Sequence, residues 1–154
     1  ADEDIIAYLA YNLRSQIFAK SLPMPMVIGA LKRLELIKSH PEYLEKLWSI
    51  AHALQKGLKE AGLDIGKTQS PVTPVYMRGN LPEATNMVFD LRENYGIFCS
   101  IVVYPVIPKG QILLRLIPTA VHTLEDVNYT IDAFAKCATK LKQGKYDTEK
   151  VAQI

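Results

Sequence analysis

Absences narrow this sequence before any motif does. Only two cysteines occur in 154 residues. Cys99 and Cys137 lie far apart, each beside apolar neighbours, so they form no disulfide framework and read as reduced, buried thiols of a cytosolic protein. Three histidines, His40, His52 and His122, add no cluster at metal-ligand spacing. There is no glycine-rich phosphate loop, Walker motif or GxSxG elbow, which removes the common nucleotide and hydrolase readings. Neither sign of charge prevails: 18 basic and 16 acidic side chains are interspersed, leaving no basic face to neutralise a nucleic acid. The longest apolar runs, such as Ile97 to Ile107, contain Pro105 and fall well short of the roughly 20 residues of a spanning helix. An initiator methionine and a signal peptide are also missing before Ala1-Asp2-Glu3-Asp4, and the chain is expected to be cut from something longer.

What is present suits one soluble domain: 49% of the residues are hydrophobic, enough for a single core. Ile5, Ile6, Leu9 and Leu13 recur at helical spacing behind an acidic first turn, predicting a helix from Asp2 to Leu13. Phe18 to Pro25 reads as a loop or short strand closed by Pro23-Met24-Pro25, with a helix over Met26 to Lys38. A long helix follows from Pro41, carried by Leu44, Leu47, Trp48, Ala51, Leu54 and Leu58 and stopped at Gly62. Ser70 to Met77 is extended, and its two prolines confine it to an edge or an entry position in a sheet. Asn80 opens a helix that Gly96 stops. Ile97 to Tyr104 and Gln111 to Ile117 read as strands around a proline-stiffened loop, and Thr123 with Asp126 opens a last helix. The final ten residues are polar and read as a frayed tail. The pattern is α/β, a two-layer α+β sandwich whose small, largely antiparallel sheet is covered by helices, above all the long third one and the last.

Three residues could carry chemistry. Arg115 stands in Ile112-Leu113-Leu114-Arg115-Leu116-Ile117, where a guanidinium needs a carboxylate or phosphate if it is buried; simple strand alternation would instead turn it to solvent. His122, just before the cap Thr123, could be an acid or base, but a histidine there more often orders a loop. Lys20, in Phe18-Ala19-Lys20-Ser21, could bind a phosphate, form a Schiff base, or be solvated on a connecting loop.

In order along the chain, Asp2-Glu3-Asp4-Ile5-Ile6, Ile17-Phe18 through Ser21-Leu22-Pro23, Ser70-Pro71-Val72-Thr73-Pro74-Val75, Gly96-Ile97 and Tyr104-Pro105-Val106-Ile107-Pro108-Lys109-Gly110 lead through Leu114-Arg115 to His122-Thr123. With these landmarks the chain resembles, up to about Leu141, the C-terminal part of the α-oxoamine synthases. These fold-type I pyridoxal-phosphate enzymes condense an amino acid with an acyl-CoA and release carbon dioxide and coenzyme A. Pro-x-Gly, three residues, Leu-Arg and then Ala-x-His-Thr is the most specific portion. Phe-Ala-Lys-Ser-Leu-Pro-Met-Pro and Leu-Ile-Pro-Thr-Ala-Val-His-Thr are most similar to the bacterial serine palmitoyltransferase branch.

The resemblance implies that residues 1–39 end a large domain and include an interdomain helix, 40–143 form the C-terminal small domain, and 144–154 are a polar tail. It implies that Arg115 holds the amino-acid carboxylate. It also implies that Lys20 and Ser21 reach across a homodimer interface toward the cofactor phosphate, although relatives commonly carry a small hydroxyl residue at Lys20 and a proline at Met24. The Schiff-base lysine of relatives precedes a Gly-Gly pair, which Leu22-Pro23 does not match; it is expected upstream of Asp2, so this chain alone should be inactive. The implied reaction of the complete, cytoplasmic enzyme is L-serine with palmitoyl-CoA to 3-ketosphinganine. The alternatives are 8-amino-7-oxononanoate synthase, 2-amino-3-ketobutyrate CoA ligase, or a stand-alone, non-catalytic interaction domain.

Overall fold

The computed structural model describes residues 1–147. Contacts gather into two compact units, Ala1–His40 and a second from Pro41 onward. The first is helical: α1 (Glu3–Asn12), α2 (Arg14–Ile17) and α3 (Met24–Ser39). Glu3 and Asp4 lie in the first turn of α1, where the helix dipole favours them. α2 is a single turn, closed by the Phe18 amide donating to the Arg14 carbonyl at 3.0 Å, where the sequence suggests only a short apolar stretch. The Pro-Met-Pro segment starts α3 two residues earlier than expected: Pro23 is its N-cap and Pro25 falls in the first turn, where a missing amide costs nothing. No residue of these three helices is buried, and Ile5, Ile6, Ile17, Met26, Ile28 and Leu31 all stand exposed.

The second unit holds α4 (Pro41–Glu60), β1 (Thr73–Met77), α5 (Leu81–Tyr95), β2 (Ser100–Val102), β3 (Ile112–Leu116) and α6 (Leu124–Lys142). The sheet order is β1-β3-β2 with both pairings antiparallel, giving the expected two-layer arrangement. α5 packs on β2 and β3, and α6 packs on α4 and α5, so α5 joins the two helices expected to cover the core. β1 lies at the edge, where Pro74 removes no needed ladder bond, and the Tyr76 amide on its outer side donates to the Asp64 carbonyl at 2.8 Å. Among the described residues no helix is long and apolar enough to cross a membrane.

Helix ends explain where sequence and structure part. Gly62 and Gly96 both adopt positive φ, 78° and 65°, and the next amides, Leu63 and Ile97, reach back to the Leu58 and Leu91 carbonyls. This closes the carbonyl ends of α4 and α5. It also spends Ile97 on the cap, so the strand predicted from Ile97 shrinks to Ser100–Val102. Capping boxes at Asn80–Glu83 and Thr123–Asp126 open α5 and α6.

The pairing register decides the core. Thr73 opposite Leu116, Val75 opposite Leu114 and Met77 opposite Ile112 share one face of the sheet, with Ile101 beside Leu114 from β2. Against this face α4 supplies Leu54 and Leu58, α5 supplies Met87 and Leu91, and α6 supplies Phe134. Ile50 replaces Leu44 in the α4 stripe; Leu44 is exposed.

The tail expected from Gly144 onward carries one anchor, since Tyr146 is buried. The rest of it, 148–154, lies outside the described residues. The Tyr146 hydroxyl donates to Asp90 on α5, which also receives Lys140 Nζ at 2.7 Å and Asn94 Nδ2 at 2.7 Å, while Asn86 Nδ2 donates to the Tyr146 carbonyl at 2.9 Å. Burial alone would raise the Asp90 pKa, but the bonds from Lys140, Tyr146 and Asn94 together hold it down at about 2. A carboxylate whose folded pKa is depressed stabilises the fold above its unfolded pKa and loses that stabilisation as pH falls through the folded one. Between about pH 4 and pH 2 the second unit should therefore lose about 2 kcal/mol from this group. Denaturant midpoints measured across that window should show the loss, and Asp90→Asn should flatten it.

Candidate functional site

Alternation along β3 sets the position of the first candidate. Leu114 and Leu116 face the core, so Arg115 between them emerges on the opposite face of the sheet, where it is exposed. Its cross-strand neighbours there are Pro74 on β1 and Ser100 on β2. No charge is buried in the strand, and of the two readings of Arg115 the solvent-facing one describes its position. What the structure adds is an anchor: Arg115 Nε donates to Ser100 Oγ at 3.1 Å. No carboxylate of the described residues pairs with the guanidinium, and neither terminal nitrogen has a partner among them. A planar fork held at its base with both tips available is the donor pattern that suits a carboxylate.

Lys20 and Ser21 lie between α2 and α3 in the first unit, both exposed and neither hydrogen-bonded to a described residue. One cation and one hydroxyl side by side form a donor set suited to a phosphate. They and Arg115 belong to different units.

His122 orders a loop. Its Nδ1 accepts the Thr119 amide at 2.9 Å and lies 3.0 Å from Thr119 Oγ1, while its own amide donates to the Thr119 carbonyl at 3.2 Å. With Nδ1 accepting, the neutral ring carries its proton on Nε2. Three residues beyond the cap Thr123, the Asp126 carboxyl is held below its ordinary pKa, first by the Thr123 amide and then by its hydroxyl. His52, exposed on α4, stacks against Trp48 at 5.1 Å between ring centres.

His122 also borders an open cleft of about 440 Å³ whose walls are Ile50 and Leu54 of α4, Phe98, Ile117, and Tyr129 of α6. Sequence reasoning missed this cleft, because its walls come from segments up to about eighty residues apart and no local pattern joins them. It missed Ser100 as well. The one available signal was a lone hydroxyl in the apolar run Ile97 to Val103.

Comparison with known proteins gives four findings. No family model matches the chain. The chain is 60% identical over 142 residues to a cysteate-C-fatty acyltransferase of Capnocytophaga ochracea, covering 92% of this chain and 34% of that protein. It is 34% identical over 135 residues to a serine palmitoyltransferase of Sphingobacterium spiritivorum, covering 88% of this chain and 33% of that one. Among solved structures, a serine palmitoyltransferase from S. paucimobilis with a bound PLP–myriocin adduct superposes with a TM-score of 0.77 at 26% identity, over 92% of this chain and 36% of that one. The chain thus spans about a third of the length of the curated relatives it matches.

Neither cysteine is poised to act as a nucleophile. Both are free and buried; burial pushes the Cys99 thiol up to about 11, helped by Cys137 nearby, and raises Cys137 as well. At pH 8 only about a thousandth of Cys99 would be thiolate. Both thiols should therefore ignore an aromatic disulfide reagent at pH 8 and react at once when the chain is denatured. Fast reaction of either in the native protein would contradict this burial.

Proposed function

The chain belongs to the α-oxoamine synthase family, and from that premise we propose that it is the C-terminal part of a pyridoxal-phosphate-dependent acyltransferase whose amino-acid substrate is cysteate. The reaction joins the amino acid's α-carbon to the acyl carbon of a fatty acyl-CoA and releases carbon dioxide and coenzyme A. The observation that carries the choice of amino acid is the gap between 60% identity to a cysteate-C-fatty acyltransferase and 34% to a serine palmitoyltransferase. L-serine, giving 3-ketosphinganine and a place in sphingolipid synthesis, is the competing reading, supported by the resemblance of the Phe18–Pro25 and Leu116–Thr123 segments and by the superposition at TM-score 0.77.

The side chains at hand fit the cofactor and substrate by donor type. Lys20 and Ser21 would neutralise and hydrogen-bond the cofactor phosphate. Arg115 would take the amino acid's α-carboxylate on its two free nitrogens, fixing how that group is turned. When bound, pyridoxal phosphate withdraws electrons from the amino acid's α-carbon. The lysine that holds the cofactor covalently is assigned to a part of the enzyme outside these residues, since Leu22-Pro23 follows Lys20-Ser21 where a Gly-Gly pair is needed. Residues 1–39 would close a large domain and 40–143 form the small one, in a cytoplasmic homodimer. The exposed apolar side chains of α1 to α3 support this, because so much uncovered apolar surface calls for a cover.

Assay of the complete enzyme with cysteate and serine against palmitoyl-CoA, following coenzyme A release, tests the reading. Cysteate should be preferred by about ten-fold or more in kcat/KM, because a site built around a second anion leaves a cation unpaired when serine binds. A serine preference would move the assignment to the competing reading, and release with neither amino acid would overturn both. Arg115→Ala should raise the amino-acid KM by about 30-fold, the loss of two charge-assisted hydrogen bonds in a solvent-facing site. An unchanged KM would remove Arg115 from the site.

A further inference from the structure

Among the described residues, Ser100 is the one whose side chain hydrogen-bonds Arg115, and its setting is well defined. It opens β2 directly opposite Arg115 in the antiparallel register. Cys99 before it is buried, and Ile101 after it pairs with Leu114 on the core face. The backbone at Ser100 is thus pinned from both sides, and its hydroxyl, on a one-carbon stem, has little freedom of its own. Arg115 is the reverse: a long side chain on an exposed face, with many rotamers open to it and a large ordering cost if substrate had to fix it.

We infer that Ser100 is a positioning residue that sets the Arg115 guanidinium for the amino-acid carboxylate. The inference rests on the carboxylate role proposed above for Arg115. A guanidinium can meet a carboxylate along the edge containing Nε or along the edge formed by its two terminal nitrogens. The bond from Nε to Ser100 Oγ at 3.1 Å occupies the first edge. The second is left free and held in one orientation before substrate arrives, so carboxylate binding loses less rotamer freedom. Of the other paired positions on this face, Pro74, Val102 and Leu113 carry no polar side chain, and the fourth, Tyr76, stands opposite Leu113.

The experiment compares Ser100→Ala, Ser100→Thr, Arg115→Ala and the Ser100/Arg115 double alanine variant in the complete holoenzyme. Steady-state kinetics and calorimetric titration with the amino acid are read together, and unfolding midpoints check folding. Ser100→Ala should raise the amino-acid KM and Kd by about three- to ten-fold, with kcat and the acyl-CoA KM little changed. Ser100→Thr keeps the hydroxyl in a residue that strands favour and should restore binding. The double variant should bind no worse than Arg115→Ala alone, because Ser100 acts only through the arginine. 2-Aminoethanesulfonate, which lacks the α-carboxylate, should bind all variants alike. If Arg115→Ala weakens binding while Ser100→Ala does not, or if the two losses add, the positioning role is overturned and the role of Arg115 stands. If Arg115→Ala itself changes nothing, the carboxylate reading fails instead.

Discussion

Everything in the second unit hangs on β3, the central strand, whose two faces have opposite duties. It is hydrogen-bonded on both sides, to β1 and β2, and its two-residue period sends Leu114 and Leu116 into the core while Arg115 goes out. Because side chains alternate strictly, a slip of one residue would bury a guanidinium and expose two leucines, an exchange costing several kcal/mol. The same hydrophobic demand that fixes the register therefore fixes the face on which Arg115 emerges. The core needs no separate device to aim it; the device is needed only at the tip of the long side chain, where Ser100 stands.

Much of this was legible in the sequence, for reasons that differ from element to element. The capping boxes at Asn80 and Thr123 and the stops at Gly62 and Gly96 are local chemistry, and each appears where its residues predict. Pro71 and Pro74 leave β1 an edge or an entry position, and the structure takes the edge. What escaped was non-local. Ile97 reads as a strand residue by composition, but the reach of its amide back to Leu91 makes it part of a helix cap. Tyr146 sits in a polar stretch that resembles a tail, and only the fold brings Asp90, fifty-six positions earlier, beside it. Arg115 stood out for the cost of burying it; strand alternation, the other reading, turns it to solvent, so that cost does not arise. The pairing with Ser100 becomes visible only once β2 and β3 are in register.

The first unit poses the opposite problem. Its two longer helices, α1 and α3, are readable from apolar spacing, yet none of the apolar side chains finds a core among α1, α2 and α3. Spacing reports that a face will be covered and is silent about what covers it. Family membership supplies the context that spacing lacks, since matched relatives are about three times the length of this chain. In the second unit, by contrast, core and cover lie within the same stretch of sequence, and the order and type of its elements are readable there.

The outer face of the sheet has a wider consequence. Arg115, Ser100, Pro74 and Tyr76 stand on a surface that the hydrophobic core does not require. Substitutions there leave Leu114, Phe134 and their neighbours untouched, so side chains on one side of β3 can change without endangering foldability on the other. A scaffold divided in this way lets related sequences vary on one surface while the fold is kept, since innovation and integrity are written on opposite sides of the same five residues.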